Sequence, residues 1–233
     1  SVSGPYGSFD IGAQFFTVRD PRFQKVLDTT PGNLRAWSLN NIQTRNAHGR
    51  RIDKLAPVRE THWVGIPDMQ SLPLAWATPL WEAGKLHLGQ SVRAMSHHIA
   101  NGKGQSHHQW SLMLDTEDHG PQIADGFDCV VLAVPAPVAL QLLQTAPQGA
   151  ALAKSLATVE MAPCWAMTLS YPIAAQARQS TLGPQWNASR STHERISWVA
   201  RESSKPGRAQ TERWTIHATP LWSNDTRHTD AHR

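Results

Sequence analysis

Four of the twelve histidines fall in two adjacent pairs, His97–His98 and His107–His108, a spacing that sets imidazoles across from each other if the intervening residues close a hairpin. Cross-strand imidazoles are natural zinc ligands, but neighbouring strand residues point to opposite faces, so each face gathers only two ligands, too few for a zinc site. The expectation is a solvated hairpin tip and no bound metal. Cys129 and Cys164 sit in apolar stretches and read as buried, reduced thiols rather than a disulfide, which fits a reducing cytoplasm. Gly102 and Gly104 begin a dinucleotide fingerprint, but His107 stands where its third glycine belongs. No Ser, His and Asp set, paired-carboxylate spacing or Cys and His nucleophile pattern rises above chance.

The elements that would position these residues follow from periodicity. Hydrophobic residues at 40% and charged residues at 17% give a globular balance. Ser8 to Val18 reads as extended, and Asp20 with Pro21 caps a short helix through Leu27. Thr29 to Arg59 is polar and Gly- and Asn-rich, a strand-and-loop excursion anchored by Trp37 and Ile42. Thr61 to Ile66 is a strand candidate, followed by a helical stretch from Met69 to Ala83 that Pro73 and Pro79 are expected to interrupt. Ser91 to His98 and Gln105 to Leu114 form a hairpin closed by Asn101, Gly102, Lys103 and Gly104. Phe127 to Val134 (FDCVVLAV) is a continuous apolar run, the pattern of a strand covered on both faces, and Pro135 and Pro137 open a helix through Leu143. Cys164 to Tyr171, Ile196 to Arg201 and Glu212 to Ala218 read as strands of an antiparallel sheet. Ser223 to Arg233 has no apolar periodicity and reads as a disordered tail.

Several stretches are similar, in order and spacing, to the renalase-like branch of the flavin amine oxidase superfamily. They are FDIGAQFFTVRDPRF (Phe9 to Phe23), WVGIPDMQSL (Trp63 to Leu72), SVRAM, FDCVVLAVPAPVALQLL (Phe127 to Leu143), VEMAPCWAM (Val159 to Met167), WVARESSKPGR (Trp198 to Arg208) and SKPGRAQTERWTIHATPLWS (Ser204 to Ser223). The resemblance implies a two-domain α/β flavoprotein with a mixed or antiparallel substrate-domain sheet. Residues 1–28 and 84–145 would belong to the FAD domain, and 29–83 and 146–222 to the substrate domain. It also implies an interior stretch of such a protein, without the opening GxGxxG turn or the closing flavin contact, and so one that holds FAD only loosely.

The same resemblance implies the roles of individual residues. Gly12, Ala13 and Gln14 would pass close to the flavin, the glycine and alanine by being small and Gln14 through its amide. Val92 would read the adenine edge with its backbone, and Ala133 and Pro135 would meet the cofactor where a strand turns into a helix. Trp165, Trp198 and His217 would line the substrate side, against the plainer expectation that tryptophans are core. The implied reaction takes a hydride from a reduced nicotinamide dinucleotide or an amine and passes the electrons to oxygen, the cofactor carrying the redox chemistry. The alternative is a non-catalytic remnant that acts as a binding or structural module. The net charge of +4 comes from scattered basic residues, which argues against a nucleic-acid partner, and no apolar run is long enough to suggest a membrane span.

Overall fold

Alternation in Glu212–Ala218 sends Arg213, Thr215 and His217 to one face of a strand and Trp214 and Ile216 to the other, and the chain buries Arg213, Thr215 and Trp214 while Ile216 and His217 are half-buried. This strand lies within the larger of two compact units in the computed structural model, which describes residues 1–37, 42–52, 60–102, 105–116, 120–171, 186–209 and 211–226. One unit comprises Ser1–Glu82 with Pro163–Arg233, the other Ala83–Ala162. The fold is α/β. The contacts thus join residues 1–28 to the segments that follow them, whereas the family resemblance grouped them with 84–145.

The first unit holds β1 (Val2–Gly4), β2 (Gly7–Phe9), α1 (Pro21–Leu27), β3 (Leu34–Trp37), β4 (Ile42–Arg45), β5 (His62–Gly65) and α2 (Ser71–Glu82). The second holds β6 (Gln90–Gly102), β7 (Gln105–Thr116), β8 (Gly120–Phe127), α3 (Ala136–Leu143) and α4 (Ala150–Leu156). The chain then returns to the first unit with β9 (Ala166–Tyr171), β10 (Ala188–Ser191), β11 (Ile196–Arg201), β12 (Glu212–Ala218) and α5 (Pro220–Asp225). The main sheet runs β4-β10-β11-β12-β9 and is mixed: β4 pairs parallel to β10, and the other neighbours are antiparallel. The cross-strand pair Ala188 and Ala200 removes side-chain bulk, so Trp37 and Val64 pack there with Phe15, Ile42, Ile66, Met69 and Trp198 around them. A second cluster, Leu27, Leu34 and Leu72, fixes α1 and α2 against β3.

In the second unit β6, β7 and β8 form an antiparallel meander. Its core is Met95 with Leu142, Leu143 and Ala146, and the Thr145 hydroxyl accepts from the Met95 amide at 2.9 Å. The hairpin expected around residues 101–104 is present, with Gly102 opposite Gln105; Lys103 and Gly104 lie outside the described residues.

Several expectations are corrected. Phe127–Val134 is not a doubly covered strand: β8 ends at Phe127, and residues 128–134 pair with no strand. Val130 and Leu132 pack on the Met95 cluster, while Val131 between them is 84% exposed, so the run has one packed side only. α2 continues through both prolines. Pro73 lies in the first turn, where no helical N–H is required, and Pro79 costs one internal bond in an otherwise intact helix. The end of the chain is ordered through α5, where Thr219 caps the helix and Pro220 starts it, and Ser223 is fully buried; residues 227–233 lie outside the described part. Both cysteines are free, but exposed rather than buried. No helix among the described residues is long and apolar enough to cross a membrane.

Candidate functional site

The segment leading out of β2 carries the residues on which the site is built. Gly7, at φ +118°, allows the Arg213 guanidinium to close on the backbone, since a Cβ there would come within 2.8 Å of Arg213 Nη1. Arg213 in turn donates to the Ser8 carbonyl. The chain then enters a buried ionic network. Asp10 accepts from Lys205 Nζ at 3.0 Å, Arg208 Nη2 at 2.7 Å, the Met69 amide at 2.9 Å and the Ser1 hydroxyl at 2.7 Å. Glu202 accepts from the Thr215 hydroxyl at 2.7 Å and pairs with Lys205 at 3.0 Å. The third contact of the Lys205 ammonium goes to Gln14 Oε1 at 3.1 Å, so it hydrogen-bonds Asp10 and Gln14 and meets Glu202 as an ion pair, and it lies 5.4 Å from the centre of the Trp37 ring.

Burial by itself would raise the Asp10 pKa. The Lys205 and Arg208 charges, with the bonds from Met69 and Ser1, outweigh it and bring the carboxyl down to about 2. Gln14 is only 6% exposed, and its amide is engaged at both ends: Oε1 accepts from Lys205, and Nε2 donates to the Gly12 carbonyl at 3.2 Å and to the Asp10 carbonyl. Its side chain therefore braces the turn from inside, while Ile11, Gly12 and Ala13 form an exposed ledge above it.

The ledge is pinned to the sheet by His217 Nε2, 2.9 Å from the Ile11 carbonyl. A carbonyl only accepts, so Nε2 carries the hydrogen, and in the neutral ring Nδ1 is the proton acceptor. On the adjacent strand Trp198 stands opposite His217, and beyond it Arg190 stands opposite Trp198. Phe15 lies 6.0 Å from the Trp198 ring and 4.4 Å, edge-on, from His62. Burial holds the His62 pKa below the ordinary histidine value, the Arg190 charge adds to the effect, and the ring is neutral at neutral pH. The buried nitrogens Trp198 Nε1 and His62 Nδ1 have no hydrogen-bond partner among the described residues. Trp165 is exposed next to this end of the sheet, its carbonyl accepting from the Ala218 amide at 2.9 Å.

Of the residues singled out from sequence, Gly12, Ala13, Gln14, Trp165, Trp198 and His217 thus gather in the first unit. Val92, Ala133 and Pro135 belong to the second, where Val92 and Leu132, the neighbour of Ala133, pack on the same Met95 cluster and Pro135 caps α3. In the hairpin the His97 ring stacks on His108 at 5.1 Å and meets Trp110 edge-on at 4.9 Å; the His107 side chain lies outside the described part. Among the described residues no group of three or more metal-ligating side chains assembles. Sequence reasoning missed His62, Arg190 and the ionic network. Its one legible signal was the position of charged residues inside otherwise apolar strands, Arg213 above all.

The fit to FAD is one-sided. The exposed Ile11–Ala13 backbone and the Trp198 ring suit the edge of a flat cofactor. Most of the described helix starts do not suit a pyrophosphate: Asp20 caps α1, Asp68 accepts from the Gln70 and Ser71 amides at the start of α2, Pro137 removes a donor from α3 and Thr219 caps α5, while α4, which no side chain caps, runs only seven residues. No protein-family model matches the chain.

Proposed function

We propose that the chain provides the substrate-side face of a flavin-dependent oxidoreductase of the renalase-like type, acting on a reduced nicotinamide or amine substrate in the cytoplasm. The observation that supports this reading is convergence. Residues 12–14, 198 and 217, chosen from distant parts of the sequence, meet at one end of one sheet, where His217 hydrogen-bonds the carbonyl of Ile11, the residue before Gly12, across 206 positions. A bound FAD would supply the hydride acceptor and pass the electrons to oxygen. The chain's own residues would orient the substrate: Trp198 and Phe15 as flat walls, the Gly12–Ala13 backbone as the ledge beside it, and His217 Nδ1 as a place to hold a proton. The two unpaired thiols are compatible with a reducing compartment.

A second reading, a binding module without catalysis, is favoured by the engagement of the Gln14 amide inside the network, which leaves it nothing to offer a substrate. Anaerobic mixing of the chain with excess FAD and a reduced nicotinamide dinucleotide separates the two. The oxidoreductase reading expects chain-dependent bleaching of the flavin, slowed by His217→Ala, and peroxide on readmission of oxygen. Absence of chain-dependent bleaching with reduced nicotinamides and amines alike contradicts it.

A further inference from the structure

The register of the main sheet places Thr44, Arg190, Trp198, His217 and Ala166 in one line across its five strands. This line holds a permanent cation and an imidazole but no carboxylate. Other arginines of the sheet are already engaged: Arg45 with the Gly49 carbonyl at 2.6 Å and Gln43 at 2.8 Å, Arg201 in a two-point pair with Glu212 at 2.7 and 2.8 Å, and Arg213 buried against backbone carbonyls. Arg190 alone among them is exposed and makes no side-chain hydrogen bond or ion pair with the described residues. Glu60, the carboxylate whose field reaches His62, is itself held by Arg19 at 2.9 and 3.1 Å. Trp198 stands opposite Arg190, with Phe15 6.0 Å from the Trp198 ring, and a buried indole N–H and a buried imidazole nitrogen here lack partners among the described residues.

We propose that this line seats a planar anion, an aromatic ring bearing a carboxylate or a phosphate, with the ring on Trp198 and Phe15 and the charged group on Arg190. Given that the ledge is the substrate side, the charge pattern names the class of substrate. A guanidinium meets either anion through two parallel N–H bonds, and an indole flanking it supplies the ring contact. A ligand with polar edges can offer partners to the nitrogens left unpaired among the described residues, which a purely aliphatic occupant cannot.

The test is calorimetric titration of the full chain with benzoate, phenyl phosphate and neutral benzamide. Both anions are expected to bind at least about tenfold more tightly than benzamide, and the tighter of the two identifies the group. Arg190→Gln is expected to bring the ratio to about one while leaving benzamide binding and the thermal melt as in wild type, because the exposed Arg190 side chain makes no hydrogen bond or ion pair with the described residues. Lys154→Gln, which removes the same charge from an exposed position on α4, is expected to keep the preference. Equal binding of anion and amide by wild type, or a preference that survives Arg190→Gln or vanishes in Lys154→Gln, overturns the proposal. None of these readouts needs a flavin, so loss of the oxidoreductase reading shows itself separately, as absent bleaching with anion preference intact.

Discussion

One face of the main sheet is put to two opposite uses. At one end, Asp10, Gln14, Glu202, Lys205, Arg208 and Thr215 are sealed from water and bonded to one another, with Glu202 Oε2 and Arg208 Nε lacking a hydrogen bond among the described residues. At the other, Arg190, Trp198 and His217 are half-buried or exposed, and a cation and an indole N–H are left without partners among the described residues. The difference teaches how to read polar residues in this fold. A charge that is buried and matched has been used to hold the chain together, because separating it from its partners is costly. A charge that is exposed and unmatched remains available to a ligand.

The largest effect should come from breaking the matched end. Lys205→Met leaves the buried Glu202 carboxylate without its ion-pair partner and Asp10 with Arg208 alone, and a loss of about 3–5 kcal/mol is expected in a denaturant melt. A loss below about 1 kcal/mol would remove the network from the forces that hold the first unit together. Next in size is the acid response. Asp10 titrates at about 2 in the folded protein against an ordinary 3.8, so its contribution is fully present above about pH 4 and is lost as pH falls toward 2. The depression corresponds to about 2 kcal/mol. Asp10→Asn should flatten that part of the stability curve, which a melt series between neutral and acid pH reads directly.

Gln14→Leu should cost about 1–3 kcal/mol by leaving one Lys205 donor unpaired. Its effect on ligand binding should be smaller than that of His217→Ala, since Gln14 supports the ledge from below. The smallest effect belongs to the second unit. Val131→Lys is expected to stay within about 0.5 kcal/mol of wild type, because Val131 faces solvent; a large loss would restore the doubly covered strand that the sequence suggested. The chain with FAD alone is expected to give no stoichiometric, micromolar complex in a fluorescence titration, because side chains already occupy the starts of α1, α2 and α5 and Pro137 removes a donor from α3.

Elements with strong local signals were legible in sequence: the Asp20–Pro21 helix start, the hairpin near residues 101–104, and the three strands that became β9, β11 and β12. The errors share a cause. An apolar run such as FDCVVLAV reports hydrophobicity, but whether it becomes a covered strand depends on neighbours that periodicity does not supply. Pro73 and Pro79 looked like helix breaks because propensity counts prolines without regard to their place in the turn or to the packing that tolerates them. In the site, Gln14, Trp198 and His217 were picked out through resemblance, and their convergence needed the fold. The charged partners of Asp10 lie 192 to 198 positions away in sequence, so neither its burial nor the inward turn of Gln14 had a local signature. Arg190 was invisible for the opposite reason: an exposed arginine is ordinary until the arginines around it are seen to be engaged.

The contrast between the two ends comes down to three indoles. Trp37 beside the network donates to the Ser204 hydroxyl at 3.2 Å; Trp214, on the opposite face, is buried with its N–H unpaired; Trp198 is unpaired and at the ledge. Indole N–H resonances of the nitrogen-15-labelled chain, assigned with Trp37→Phe, Trp198→Phe and Trp214→Phe, should be followed while phenyl phosphate is added. A saturable shift of the Trp198 resonance, with Trp37 and Trp214 unmoved, is the predicted result. A Trp198 resonance that stays fixed, or one that moves no more than the other two, would contradict the division of this sheet into a structural end and a binding end.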